Sequence, residues 1–218
     1  MSILAPVQKF VDLGGPVLVI LASVSVVTLA IVLLKFWQFR AEGVGQHKEI
    51  REALAQWDAG QAEAAAGRLK RSTSHLARVL QLAIEVENRP EGARRMEAEA
   101  EEAFMPLERG LRVLDIVVQL APLLGLFGTV LGMIEAFQSL QEAGSQVDPS
   151  ALAGGIWVAL LTTAAGLAVA MPTSMALTWF ESRINADRTL AETAFAVFLT
   201  PLKPASVAVA NTNTRYGT

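Results

Sequence analysis

Three long apolar runs alternate along the chain with polar stretches of quite different character. From Pro16 to Leu34 no charged residue occurs. At 1.5 Å per helical residue, this run of about 19 is just long enough to cross a hydrocarbon core roughly 30 Å thick. A second run extends from about Val113 to Phe137, interrupted by Asp115 and Gln119 near its start and Glu135 near its end. Those positions lie close to the interfaces, where polar groups cost least. The third, Ser150 to Phe180, carries no formal charge and exceeds what a bilayer requires, so it should tilt or continue as helix beyond the membrane. Lys35 and Arg40 follow the first run and no A-x-A site closes it, so it is expected to stay attached rather than be cleaved as a signal.

Basic residues set the orientation, because cytoplasmic loops retain positive charge. Lys35, Arg40, Lys48 and Arg51 follow the first span, Arg109 and Arg112 precede the second, and Arg183 and Arg188 follow the third. The link from Gln141 to Pro149 holds Glu142 and Asp148 but no basic residue, and the N-terminal tail has only Lys9. The N-terminus is therefore expected outside and the C-terminus in the cytoplasm. Ile3, Leu4, Val7, Phe10 and Val11 recur at helical spacing in the tail, which suits a short helix on the outer membrane surface as well as it suits a frayed end.

Between the first two spans lie roughly 75 residues rich in alanine and alternating charge, a composition of high helix propensity. Ile50, Leu54 and Trp57 share one helical face; Leu76, Val79, Leu80, Ala83 and Val86 share another. Such faces need partners, and a small bundle with extensions of the second and third spans supplies them. The chain thus reads as an all-α membrane protein with three transmembrane helices and long helical cytoplasmic extensions. Its expected divisions are an external amphipathic segment (1–15), transmembrane helix 1 (16–36), a cytoplasmic helical domain (37–112), transmembrane helix 2 (113–140), an external turn (141–149), transmembrane helix 3 (150–180), a cytoplasmic helix (181–200) and a disordered tail (201–218).

Composition narrows the function classes. At 218 residues and 52% hydrophobic, with a mean hydropathy of +0.40, the chain is too apolar for an ordinary soluble domain and too short for a transporter with duplicated halves. A net charge of −3 offers no surface for nucleic acid. Cysteine is absent, and His47 and His75 sit in polar sequence without ligand spacing, so they read as solvated or helix-surface residues rather than a metal site. Glu97, Glu99, Glu101 and Glu102 fall on several faces of a helix and read as a solvated surface. No nucleophile, acid/base pair, metal cluster or cofactor motif appears, so an enzyme is the weakest option. No phosphate-cradling glycine loop is present either, which excludes nucleotide hydrolysis as an energy source.

The second span holds Gly125, Gly128 and Gly132 near one stripe, the last two forming a GxxxG pair; the third answers with Gly155, Ala159, Thr163, Gly166 and Ala170. Small residues at these spacings let helix backbones approach closely in lipid. Thr129 lies about 16 residues before the middle of the external turn and Thr163 about 18 after it, so in an antiparallel hairpin the two hydroxyls share one depth. Alternatively each bonds back to a carbonyl of its own helix.

The string APLLGLFGTVLGMIEAF, followed across a short turn by GGIWVALLTTAAGLAVAMP, resembles the ExbB/TolQ/MotA family of proton-channel subunits, and three spans with the N-terminus outside are most similar to ExbB and TolQ. The resemblance implies a symmetric homopentamer in the bacterial inner membrane. It would surround a dimeric ExbD-like or TolR-like partner whose single membrane aspartate carries protons. Force would pass to a TonB-like or TolA-like protein, serving outer-membrane import or, in the TolQ-like case, envelope integrity. Thr129 and Thr163 match the family's pore-facing threonines, and Pro122 and Pro172 its recurrent prolines, which free carbonyls and permit bending. A proton crossing the membrane releases about 2.3 kcal/mol per 100 mV, and this chain has almost no titratable group in mid-span to carry it, so a partner must. Val158 stands where ExbB and TolQ usually have glutamate; it is the best argument for a rival reading, a membrane scaffold that conducts nothing. Glu135 can gather protons at the outer mouth, although an interfacial acid facing water is the simpler explanation.

Overall fold

The structure is a computed structural model that describes residues 4–85, 92–143 and 149–200. Among these, all regular structure is helical: α1 (Leu4–Ala41), α2 (Lys48–Asp58), α3 (Ala62–Arg71), α4 (Leu76–Glu85), α5 (Gly92–Glu108), α6 (Leu111–Ala143) and α7 (Pro149–Leu199). Three stretches are long and apolar enough to cross a membrane: Gly15–Ala41, Leu111–Glu142 and Leu152–Leu199. The third span and the helix expected after it are therefore one continuous rod, since nothing between Phe180 and Leu199 breaks helical propensity. Residues 201–218, expected to be disordered, most of the external turn, Ile3 and Val86 lie outside the described residues. α1 already begins at Leu4, and Gly15 takes a left-handed φ of +66° just before Pro16, a departure from helical geometry at the start of the apolar run.

The chain divides into two compact units. The first comprises residues up to Gln38 and Leu107–Ser182, that is, most of α1, all of α6 and the first part of α7. Its core is thin: Val17 and Leu21 of α1 meet Ala121 of α6 and Ala170 of α7, flanked by Val117, Leu124, Leu131, Ala165 and Val169. Only 17–22% of the span residues are buried within the chain. Leu29, Leu33, Leu123, Phe127, Leu160 and Met171 are exposed instead. Water does not tolerate so much continuous apolar surface, whereas lipid and neighbouring helices do. Lys35, buried near the end of the first apolar run, is satisfied by donating to Gln38 Oε1 at 2.9 Å and to the Leu107 carbonyl at 3.0 Å, one of the orphan acceptors at the end of α5.

The second unit runs from Phe39 to Pro106 and resumes at Arg183. Here burial follows the amphipathic pattern: Ile50, Leu54 and Trp57 of α2, and Leu76, Val79, Leu80 and Ala83 of α4, are all buried. Partners come from the end of α7, whose Phe198 ring meets Trp57 edge-on at 5.1 Å, and from α5, which contributes Met96, Ala100 and Phe104.

Candidate functional site

α6 and α7 pack antiparallel along a strip of small residues. A Cβ added at Gly166 would lie 2.5 Å from the Ala121 carbonyl oxygen, one at Gly125 2.7 Å from the Thr162 carbonyl oxygen, one at Gly128 2.6 Å from Thr162 Oγ1, and one at Gly155 2.6 Å from Ala136 Cβ. Gly132 stands against Ala159, with 3.0 Å from an added Cβ to the alanine's own. At Gly125, Gly128, Gly155 and Gly166 such an atom could not be placed without a shift of its neighbours, and at Gly132 it would fit only tightly. The centre of the strip is Thr162, 1% exposed and not singled out by the sequence. Its Oγ1 lies 2.7 Å from the Ala159 carbonyl one turn back and 3.0 Å from the Gly125 carbonyl on α6, so its one proton serves either acceptor.

This register fixes where the two expected pore residues stand. Thr129 follows Gly128 and Thr163 follows Thr162, each turned about 100° from a residue at the contact. In an antiparallel pair, one step forward on either right-handed helix moves toward the same flank of the hairpin. Thr129 and Thr163 therefore share a flank, and the Gly128–Thr162 contact puts them within about 3 Å of one depth. The opposite flank carries Val117, Leu124, Leu131, Ala165 and Val169, which pack with Val17 and Leu21 of α1. One side of the hairpin is thus covered by α1, and the other bears the hydroxyls. Thr129 Oγ1 donates to its own Leu126 carbonyl at 2.6 Å. Thr163 Oγ1 is buried with no hydrogen-bond partner among the described residues, an arrangement that calls for a reason in any native structure. From Thr129 an open groove runs along α6 past Met133 and Phe137 to Gln141.

The remaining residues fall as follows. Glu135 is exposed on α6. Val158 is half-buried, and five residues before Thr163 it stands about 140° round the helix from it, off the hydroxyl flank. Pro122 and Pro172 sit inside α6 and α7; beside the latter, Thr173 donates its hydroxyl to the Val169 carbonyl at 2.7 Å.

In the second unit the structure corrects one expectation. His47 and His75 are not solvated: both close on Asp187 of α7, whose side chain is fully buried, with 19% and 7% of their own side chains exposed. His47 Nε2 is 2.5 Å from Asp187 Oδ1. The Gly45 amide donates to the same oxygen at 3.1 Å, from a residue whose φ of +84° glycine adopts without strain. His75 Nδ1 lies 3.5 Å from Oδ2, and its ring stands edge-on to Phe104 at 5.5 Å. Burial holds the His75 imidazole below its ordinary pKa, with His47 adding to the shift while Asp187 and Glu42 oppose it. Among the described residues, no group of three or more His, Cys, Asp or Glu is arranged to hold a metal ion.

Comparison with known proteins bears on the hairpin. Residues 61–193 match the model of the MotA/TolQ/ExbB proton channel family. Biopolymer transport protein exbB1 of Vibrio cholerae is 43% identical over 83 residues, 38% of this chain and 36% of that protein. Tol-Pal system protein TolQ of Haemophilus influenzae is 41% identical over 80 residues, 37% of this chain and 35% of the relative. Biopolymer transport protein ExbB of Helicobacter pylori is 39% identical over 72 residues, 33% and 49% of the two chains. The chain spans less than half the length of each of these relatives.

Proposed function

Because the chain belongs to the MotA/TolQ/ExbB proton channel family, we propose that it is an ExbB-like subunit of an inner-membrane motor that converts proton-motive force into mechanical work. In this reading five copies surround the membrane helices of a dimeric ExbD-like or TolR-like partner, with the N-terminus periplasmic and the C-terminus cytoplasmic. The hydroxyl flank of α6 and α7 faces the passage and α1 lies outside it. The partner's aspartate carries the proton between hydroxyls that can both donate and accept. The work passes to a TonB-like protein for outer-membrane import. The likeness to a TolQ keeps envelope integrity as the alternative cargo of the same machine.

The observation that carries the proposal is that Thr129 and Thr163 share one flank and one depth of a hairpin whose other flank is closed by α1. Thr163 Oγ1, buried without a partner among the described residues, gains a hydrogen bond once a turn about χ1 brings it to the flank, where an acid or water of an assembled complex can meet it. Val158 does not weigh against conduction, because a side chain there stands off the flank that the hydroxyls define.

The test is proton flux into vesicles holding the chain co-purified with its single-span partner. Replacing both Thr129 and Thr163 by valine, which keeps shape and removes the hydroxyl, should abolish flux while serine at both positions preserves it. Undiminished flux in the double valine variant would refute the assigned pore flank, and a wild-type complex that conducts nothing would establish the scaffold reading instead.

A further inference from the structure

The second unit contains a device that proton conduction does not use. Two loops far apart in sequence converge on the Asp187 carboxylate of α7. The loop after α1 brings the Gly45 amide and His47, and the loop before α4 brings His75. The two loops are also tied directly, by the His75 amide donating to the Glu42 carbonyl at 3.0 Å. We propose that His47, Asp187 and His75 form a proton-operated latch, which holds these two loops onto α7 at neutral pH and releases them when His75 takes up a proton.

The geometry gives the direction of the motion. Asp187 Oδ1 is already engaged by His47 and Gly45, and His75 Nδ1 is too far from Oδ2 for a hydrogen bond. Asp187 and Glu42 favour a charge on His75, but both ring nitrogens are buried without a hydrogen-bond partner among the described residues, and the ring lies against Phe104, a costly place for a cation without its hydrogen bonds. On its other side His75 lines an open cleft of about 610 Å³. Arg78 on α4 and Arg95 on α5 border that cleft, as do Glu42, Glu99 and Glu102. The remaining charges nearby are accounted for on α7 and α5: Arg188 is paired with Glu101 and stacked over Phe104, while Arg183 lies beside Gly45. The three acids outnumber the two guanidinium groups, and water in the cleft can hydrate an imidazolium. A charged ring turned into that water leaves Asp187, and the loop before α4 then loses its side-chain tie to α7.

The sign follows from linkage. The His75 pKa is lowered in the folded chain, so the latch is fully closed above the ordinary value of 6.5 and loses its advantage as pH falls below it. One proton is taken up per opening, so the opening equilibrium should shift about tenfold per pH unit in that range.

Hydrogen exchange of the Gly45 and His75 amides in the full-length complex reads this directly, corrected for the intrinsic pH dependence of exchange. Between about pH 7.5 and about pH 5.5 protection at both amides should fall steeply in the wild type and in His47→Gln, and stay level in His75→Gln. Protection that is level in the wild type, or that falls equally in His75→Gln, would overturn the latch. Dependence lost in His47→Gln but kept in His75→Gln would reassign the sensor and overturn it equally. A titration of the wild-type imidazole resonances needs no variant: His75 should titrate below 6.5, and a midpoint at or above that value contradicts the proposal. The latch does not rest on the proton-pathway reading, and the flux experiment and the exchange experiment fail independently.

Discussion

At Gly128 the helix pair has no room for a methyl group, and at Gly154 it has all the room one needs: an added Cβ meets Thr162 Oγ1 at 2.6 Å in the first case and nothing within 4 Å in the second. Alanine is the better helix former by about 1 kcal/mol, so Gly154→Ala should leave stability level or slightly raised. Gly166→Ala drives its methyl into the backbone carbonyl of Ala121, and a net loss of about 1–2 kcal/mol should follow once helix propensity is set against overpacking. Unfolding in detergent titrated with SDS measures both, and equal behaviour of the two variants would contradict the contact. Thr162→Val keeps the shape and removes the donor to Gly125 O; in membrane helices such bonds are worth about 0.6 and at most about 1.7 kcal/mol. The sequence pointed to Thr163 and overlooked Thr162 because both fit a loose small-residue pattern. Spacing does not separate them, since Gly155, Ala159, Gly166 and Ala170 are joined by steps of three and four through either threonine; only the packed register, with Thr162 against Gly128, places Thr162 at the contact.

Among elements, the three spans were legible because an uncharged run of membrane length has few other uses. The amphipathic faces of α2 and α4 were legible too, from apolar residues recurring at helical spacing. What could not be read was any feature assembled across elements. His47, His75 and Asp187 are separated by as much as 140 residues, and nothing local distinguishes them from solvated polar side chains. They meet only because α7 runs unbroken to Leu199 and supplies the second unit with a fully buried acid. Lys35 is similar: sequence gives its role in orientation, and structure adds that its ammonium closes the end of α5 at the Leu107 carbonyl. Lys35→Met should leave that acceptor unpaired at a cost of about 1–3 kcal/mol. The loss should appear as faster amide exchange in the turn at Arg109 and Gly110, with the apolar spans unaffected.

For the molecule as a whole, the thin core of the first unit is the feature with the widest consequence. Most of the span surface is apolar and uncovered within one chain, so its partners are lipid and other protein. The two flanks of the hairpin then differ in kind: one is occupied by α1 and the other carries Thr129 and Thr163, which an assembly of copies would direct toward a shared axis. The absence of cysteine from the 218 residues makes this testable without a background mutation. Single cysteines at 129, 163, 124 and 169 would be introduced, and proton flux through the partner-bound complex measured before and after silver ion, which binds thiolates tightly. The account predicts that silver blocks flux through Thr129→Cys and Thr163→Cys and leaves wild type, Leu124→Cys and Val169→Cys conducting. Block at 124 or 169 with none at 129 and 163 would place the pathway on the wrong side of the hairpin and contradict the account.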